Sequence, residues 1–413
     1  MRFADSGGTL SETGADLLRR RPAMERTLTS DSRRTEPGED AATQQLWSLL
    51  QRAVSLGASD VHLSPGNVPL ARVHGRLEAL PAETQDASLL APLSPDITRH
   101  MAAACLSAQT RDADGAQRLE ALQDYDGSLA LPALGGGGPR FRFNLHRARG
   151  GWALALRSIG ADAPTLAQLD FPEGLAQRLI AHPHGLVIFT GAAGVGKSSS
   201  MAAIILLLAQ SRSVHVLTIE EPVEYVLPPI AGSLFTQREV GSDTPSFAAG
   251  LRHGLRQDPD VILVGETRDR DTAQMVLSAA ETGHLVFTTL HTRDAKGALT
   301  RFVDLFPAEA QDDVRRQLAM SLRAVVSQLL LPTVAGGRRA LALEVLHVNQ
   351  QAEVAIRNGR VETLESVIQT GKRDGMWTLD DDLRRLLSAG RISFDTARRV
   401  ARRSEELSAS MGG

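Results

Sequence analysis

The stretch GLVIFTGAAGVGKSSSMAAI, residues 185–204, decides how the chain is read. Its apolar opening has the continuous hydrophobicity of a strand buried on both faces. The residues that follow match the spacing G-x-x-x-x-G-K-[ST] at Gly191, Gly196, Lys197 and Ser198, and a second apolar run comes after them. Strand, glycine-rich turn and helix in that order form a phosphate-binding loop. Backbone N–H groups curl round the anion there, and the helix N-terminus adds its partial positive charge. Lys197 is expected to reach the β- and γ-phosphates of ATP and the Ser198 hydroxyl to ligate Mg²⁺. Gly194 and Ser199 complete the expected nucleotide-binding set. The bland alternative is a strand-to-helix turn with no ligand, and the matched context on both sides weighs against it.

Working outward, short apolar runs at 186–190, 214–219, 260–265 and 285–290 alternate with helical stretches near 197–210, 246–256 and 271–282. This alternation predicts an α/β core with a parallel sheet, whose ligands bind at the C-terminal strand edge. Two of these runs end in acids. DPDVILVGETRD places Glu266 beside the loop as a candidate for polarising water or supporting Mg²⁺; a local ion-pair cluster with Arg268 and Asp269 is the alternative. VLTIEEPVEY ends in Glu220, Glu221 and Glu224. Carboxylates that close repel one another, so a nearby cation is the economical explanation, with Mg²⁺ taken up at Glu220 mainly through water. A solvated acidic turn is the rival reading. ETGHLVFTTLHT brackets a strand with His284 and His291, too far apart to share one ion easily. Each is either a hydrogen-bonded structural residue or a γ-phosphate sensor.

The flanks differ in style. Residues 1–40 are polar, Arg-rich and without periodicity, so a disordered extension is expected. Residues 41–159 carry a helix, with Leu46, Leu49, Leu50, Val54 and Leu56 on roughly one face, and then alternating segments such as RFRFNLHRA. They predict an α+β domain with an antiparallel sheet. Residues 160–183 read as a linker, 184–330 as the ATPase core, and 331–413 as mainly helical with one strand-like segment at ALALEVLHV.

The chain has 413 residues, 45 basic against 48 acidic, and 4 % aromatics. So even a charge balance and so few aromatics argue against nucleic acid as partner. The single Cys105 excludes a disulfide framework and a multi-cysteine metal site. No apolar run has signal-peptide or membrane-spanning length, so a cytoplasmic protein without direct membrane insertion is expected. Lysine occurs only at 197, 296 and 372, which makes Lys197 hard to dismiss as a generic surface charge.

The ordered series GASDVHL, RVHGRL, RFRFN, GAAGVGKS, TIEEPVEY, QREVGSDTPSF, LRQDPDVILVGETRD and AAETGHLVFTTLHT resembles the secretion and type IV pilus ATPases, over about residues 45–390. Within them the chain is most similar to the PilT-type retraction ATPases of twitching motility. It has no tetracysteine insert, and AIRNGR (355–360) is like their C-terminal motif. The resemblance implies a RecA-like core preceded by a PAS-like domain, and a homohexamer that hydrolyses ATP with Mg²⁺. It implies work on an inner-membrane platform protein, with peripheral association through partners, and possible pairing with a paralogous ATPase. It makes Arg142, Arg149 and Arg157 candidates for reaching the bound nucleotide, and assigns catalytic roles to Glu220, Glu266, His284 and His291. A secretion-system ATPase, or a weakly hydrolysing accessory subunit, is the alternative. Ala193, where the family commonly has Thr, Glu221, where it has Asp, and Gly359, where it has Leu, depart from the pattern.

Overall fold

The computed structural model describes residues 37–73, 76–80, 91–110, 115–131, 138–159, 163–403 and 405. Outside them lie residues 1–36 of the expected extension, His74 and Gly75 of RVHGRL, part of the glycine run 135–138, residues 160–162 of the expected linker, and 404 and 406–413. The first helix already starts at Pro37, inside the stretch expected to be disordered.

The N-terminal part runs α1 (Pro37–Ser55), β1 (Asp60–Leu63), β2 (Leu70–Val73), β3 (Arg76–Ala79), α2 (Pro95–Thr110), α3 (Gly115–Glu120), β4 (Asp124–Ala130), β5 (Arg140–Ala148) and β6 (Gly151–Ile159). Among the described residues its strands form one antiparallel sheet in the order β3-β2-β1-β6-β5-β4. Leu46, Leu49 and Leu50 of α1 enter its core as their spacing predicts, whereas Val54 is exposed and Ala53 takes the buried place. Along β5, Phe141, Phe143 and Leu145 are buried. Side chains alternate across a strand, so Arg140 and Arg142 share the other face. That face meets the second part of the chain.

The second part runs α4 (Glu173–Ile180), β7 (Gly185–Thr190), α5 (Lys197–Ser211), β8 (His215–Glu220), β9 (Leu234–Glu239), α6 (Phe247–Gly254), β10 (Val261–Val264), α7 (Arg270–Glu281), β11 (Leu285–Leu290), α8 (Ala295–Val303), α9 (Gln311–Ser321), β12 (Leu322–Pro332) and β13 (Arg339–His347). The sheet order is β13-β12-β7-β11-β10-β8-β9, parallel throughout except for β13. Every residue of β7, β10 and β11 is buried. Helices cover both faces, which is why these strands read as unbroken apolar runs. Fully buried Phe189 and Phe287 pack on one face with the α5 side chains; burying an aromatic or aliphatic side chain of that size contributes about 1.5–3 kcal/mol.

Three expectations need correcting. The stretch 160–183 contains α4, whose Leu175, Ala176 and Leu179 are buried against the core. The boundary at 330/331 falls inside β12, and β13 belongs to the same sheet as the phosphate-loop strand. The helical stretch beyond is therefore shorter: α10 (Gln350–Arg357), α11 (Leu364–Thr370), α12 (Leu379–Ser388) and α13 (Phe394–Val400).

Candidate active site

The loop 191–196 leaves β7 at the C-terminal edge of the sheet. Gly191, Gly194 and Gly196 have φ of 144°, 77° and 87°, backbone that side chains rarely adopt. A Cβ on Gly191 would also lie 2.5 Å from the Gln328 carbonyl oxygen, so this position must be glycine. Gly196 is the N-cap of α5, which aims the helix's first N–H groups into the turn. Lys197 folds back across the loop, its Nζ donating to the carbonyls of Gly191 (2.8 Å) and Ala192 (3.0 Å). Burial lowers its pKa from the ordinary lysine value, opposed by the charges of Glu266 and Glu224. The Ser199 hydroxyl meets the Tyr225 hydroxyl at 2.8 Å.

The acids stand on the neighbouring strands. β10 lies beside β8 with Val264 opposite Ile219, which brings Glu220 and Glu266 to one edge. Glu220 Oε1 accepts from Thr218 Oγ1 (2.7 Å) and Gln237 Nε2 (3.4 Å). Burial pushes its carboxyl up to about 7; hydrogen bonds from the Thr218 and Gln237 side chains and the Glu224 backbone oppose that shift, and the charge of Glu224 adds to it. Glu266 is gripped on both oxygens, by Arg268 Nε at 2.8 Å and His291 Nε2 at 3.2 Å. Arg268 continues to Glu221 at 3.0 Å, so the expected ion-pair cluster exists in part, while Asp269 instead caps α7. His291 Nδ1 is 3.4 Å from Lys197 Nζ. Because an ammonium can only donate, Nδ1 accepts and Nε2 carries the proton toward Glu266. Lys197, His291 and Glu266 thus form one relay across the phosphate position.

These side chains line a cleft of 570 Å³, together with Gly194, Gly196, Ser198, Ser199, Glu221 and Glu224. Its far wall comes from the N-terminal part: Arg142, Arg157, Ser158 and Ile159. Arg142 and Arg157 are register partners across β5 and β6, and Arg157 Nε is held by Asp60 at 2.8 Å.

Two of the expected catalytic residues are not brought to this cleft. Arg149 occupies the turn between β5 and β6 at φ 50°, followed by Gly150 at φ 77°. Seven residues along a strand from Arg142, it is about 23 Å away. His284 precedes β11, at the opposite edge of the sheet from His291, and bonds to the Ala279 carbonyl.

Among the described residues no three His, Cys, Asp or Glu side chains converge to hold a metal ion. Mg²⁺ is usually held by one or two protein groups plus phosphate oxygens and water. The half-buried Glu220 carboxyl beside the charge of Glu224 is an acid that a cation would relieve, and Ser198 lines the same cleft.

Sequence reasoning missed Thr218, Gln237 and Tyr225, which orient Glu220 and Ser199, and Arg339, which reaches the Gly194 carbonyl at 3.4 Å from the start of β13. Arg339 carries no local signal, because only the sheet pairing of β13 puts it beside the loop.

A phosphate loop facing two acids and a histidine relay at one edge of a parallel sheet defines the class: a P-loop ATPase. More narrowly, the chain belongs to the type II/IV secretion system protein family, whose model matches residues 37–376. It is 39 % identical to the type IV pilus retraction ATPase PilT of Pseudomonas aeruginosa, over 87 % of this chain and 98 % of that one. It is 37 % identical to the type IV pilus ATPase PilU of the same organism, over 84 % of this chain and 86 % of that one. The crystal structure of the pilus retraction motor PilT with bound ADP matches with a TM-score of 0.76 at 37 % identity, covering 88 % of this chain and 98 % of the other.

Proposed function

We propose that this chain is a hexameric motor ATPase that drives type IV pilus retraction through an inner-membrane platform protein. The observation that carries this reading is the single cleft in which the phosphate loop and acids of the core face Arg142 and Arg157 of the N-terminal domain. A domain that contributes to the nucleotide site can move when the nucleotide changes, which is what a motor requires. The likeness to PilT over nearly that protein's whole length supports retraction as the work done. In this reading the core is RecA-like and the N-terminal domain PAS-like. The protein is peripheral to the membrane through its partners; among the described residues no helix is long and apolar enough to cross one.

ATP is the substrate. Lys197 turns from the Gly191 and Ala192 carbonyls to the β/γ-phosphate oxygens, and His291 reports that movement to Glu266. Glu266, fixed by Arg268 and His291, orients the attacking water. Arg142 and Arg157 neutralise charge that develops on the transferred phosphoryl group. Mg²⁺, held by Ser198 and through water by Glu220, would supply further neutralisation of phosphate charge. Arg149, on an exposed turn about 23 Å along the strand from Arg142, does not reach its own subunit's nucleotide. His284 has no catalytic part.

A second reading, a weakly hydrolysing accessory subunit or secretion ATPase, is favoured by Ala193 in the loop and by Glu221, which is committed to Arg268. ATP turnover of the assembled protein tests both. Wild-type turnover in Lys197→Ala or Glu266→Ala would sink the motor reading, and tight binding without turnover in the parent would select the second.

A further inference from the structure

Glu239, the last residue of β9, is buried to 6 % exposure and is the register partner of Glu220. Its carboxylate joins three elements. Oε1 accepts from Ser128 Oγ of β4 at 2.6 Å; Oε2 accepts from the Val223 N–H at 3.0 Å and from an Arg140 guanidinium nitrogen at 3.3 Å. A second nitrogen of Arg140 donates to the Val223 carbonyl. The Asp243 carboxylate holds the Glu239 N–H at 2.8 Å, so the backbone beneath the hub is fixed as well.

Each contact has a consequence for the cleft. Arg140 lies two residues before Arg142 on the same face of β5, about 7 Å away. Seating Arg140 therefore seats Arg142. Val223 lies between Glu221 and Glu224, so holding both its N–H and its carbonyl fixes the acidic loop after Glu220. A buried carboxylate left unpaired is strongly unfavourable. The N-terminal domain therefore cannot leave β9 without disturbing the loop that carries the acids.

We propose that Glu239 is a positioning residue for ATP hydrolysis: it sets the distance between the Arg142 arm and the acidic loop, and so makes turnover depend on how the N-terminal domain is seated. This rests on the reading that Arg142 and the acidic loop serve hydrolysis. The hub touches neither the phosphate loop nor Lys197, so nucleotide affinity is expected to survive its loss while the chemical step does not.

The test is steady-state ATP turnover and fluorescent-ADP affinity of the full-length assembled protein carrying E239Q, R140Q or R142A, and R140Q with R142A. E239Q is expected to lower kcat by about tenfold to a hundredfold, the scale of a displacement near 1 Å, with KM and ADP affinity within about twofold. R142A is expected to cost less in the R140Q background than in the parent, because the two changes spoil one arrangement. A kcat for E239Q within about twofold of the parent, a parallel loss of kcat and affinity, or, where R142A alone is slow, additive costs for R140Q and R142A would overturn the proposal. If E239Q does not fold, R140Q is judged by the same kcat and affinity criteria. An R142A variant as active as the parent removes the arginine assignment instead; a slow E239Q would then uphold the Val223 branch alone.

Discussion

β11 carries a histidine at each end, and the two do different work. His291, at the C-terminal end, bridges Lys197 and Glu266 in the cleft. His284, at the other end, closes α7. The Ala279 carbonyl accepts both its backbone N–H (3.2 Å) and its ring Nδ1 (3.0 Å), which satisfies one of the last orphan carbonyls of that helix. What separates them is position along the strand, since a parallel sheet gathers its ligand-binding loops at one edge. The opposite edge is a structural rim. There His347 is buried, with His182 and Arg178 near it, and its pKa is pushed down to about 4 by burial first and those charges second. At the catalytic edge burial acts on an acid, and Glu220 is pushed up to about 7.

The strongest way to break the contrast is at the phosphate loop. Lys197→Ala is expected to lower kcat for ATP by about a thousandfold or more, as loss of a group aimed at transition-state charge does. Turnover that persists would mean that the edge marked as catalytic is not. Next comes His291→Ala, which removes the link between Lys197 and Glu266 and should cost about a hundredfold in kcat, within the range for one positioned proton-handling group. Pre-steady-state phosphate release checks whether the chemical step carries that loss.

The strand ends that build the cleft were legible in the sequence, whereas the contrast between the two histidines was not, for physical reasons. The loop glycines, Lys197, Glu220, Glu266 and His291 lie on strand ends whose apolar runs are unambiguous. β12, LRAVVSQLLLP, reads as well for a helix, because a continuous apolar run has no period to separate the two; its pairing with β7 decides. β9, LFTQRE, is a polar edge strand with no periodic signal at all. The same reasoning could not separate His284 from His291, or Arg149 from Arg142. In each pair the residue type is shared, and only the direction of a strand or hairpin divides them. Glu239 belongs to no motif of its own, and its importance comes wholly from elements distant in sequence.

The two edges should also separate by pH in the nucleotide-free protein. Glu220 has a folded pKa above its unfolded value near 4.5, so its contribution to stability is fully present below that value and is lost as pH rises through about 7. Glu220→Gln should therefore match the parent in acid and exceed it at pH 8 by on the order of 1–2 kcal/mol. His347 has a folded pKa below its unfolded value, so its contribution is present above about pH 6.5 and is lost as pH falls toward 4. His347→Gln should flatten the acid limb by a similar amount, on the order of 1–2 kcal/mol, and leave pH 8 unchanged. Denaturant titrations at pH 4.5, 6 and 8 read both, and opposite slopes for the two variants are the expected result.

The smallest effect is expected at His284. Its replacement by alanine removes the ring donor to Ala279 but leaves the backbone N–H on the same carbonyl, so the helix end is loosened rather than orphaned. One hydrogen bond of this kind contributes about 1 kcal/mol. The loss should fall on the last turn of α7, where amide hydrogen exchange would quicken around Ser278–Thr282 while the strands keep their protection. Turnover should stay within about twofold of the parent, because neither His284 nor Ala279 is among the described residues that line the cleft. A His284→Ala variant as slow as His291→Ala would break the contrast, for it would mean that the far rim of β11 helps to set the geometry of the phosphate site.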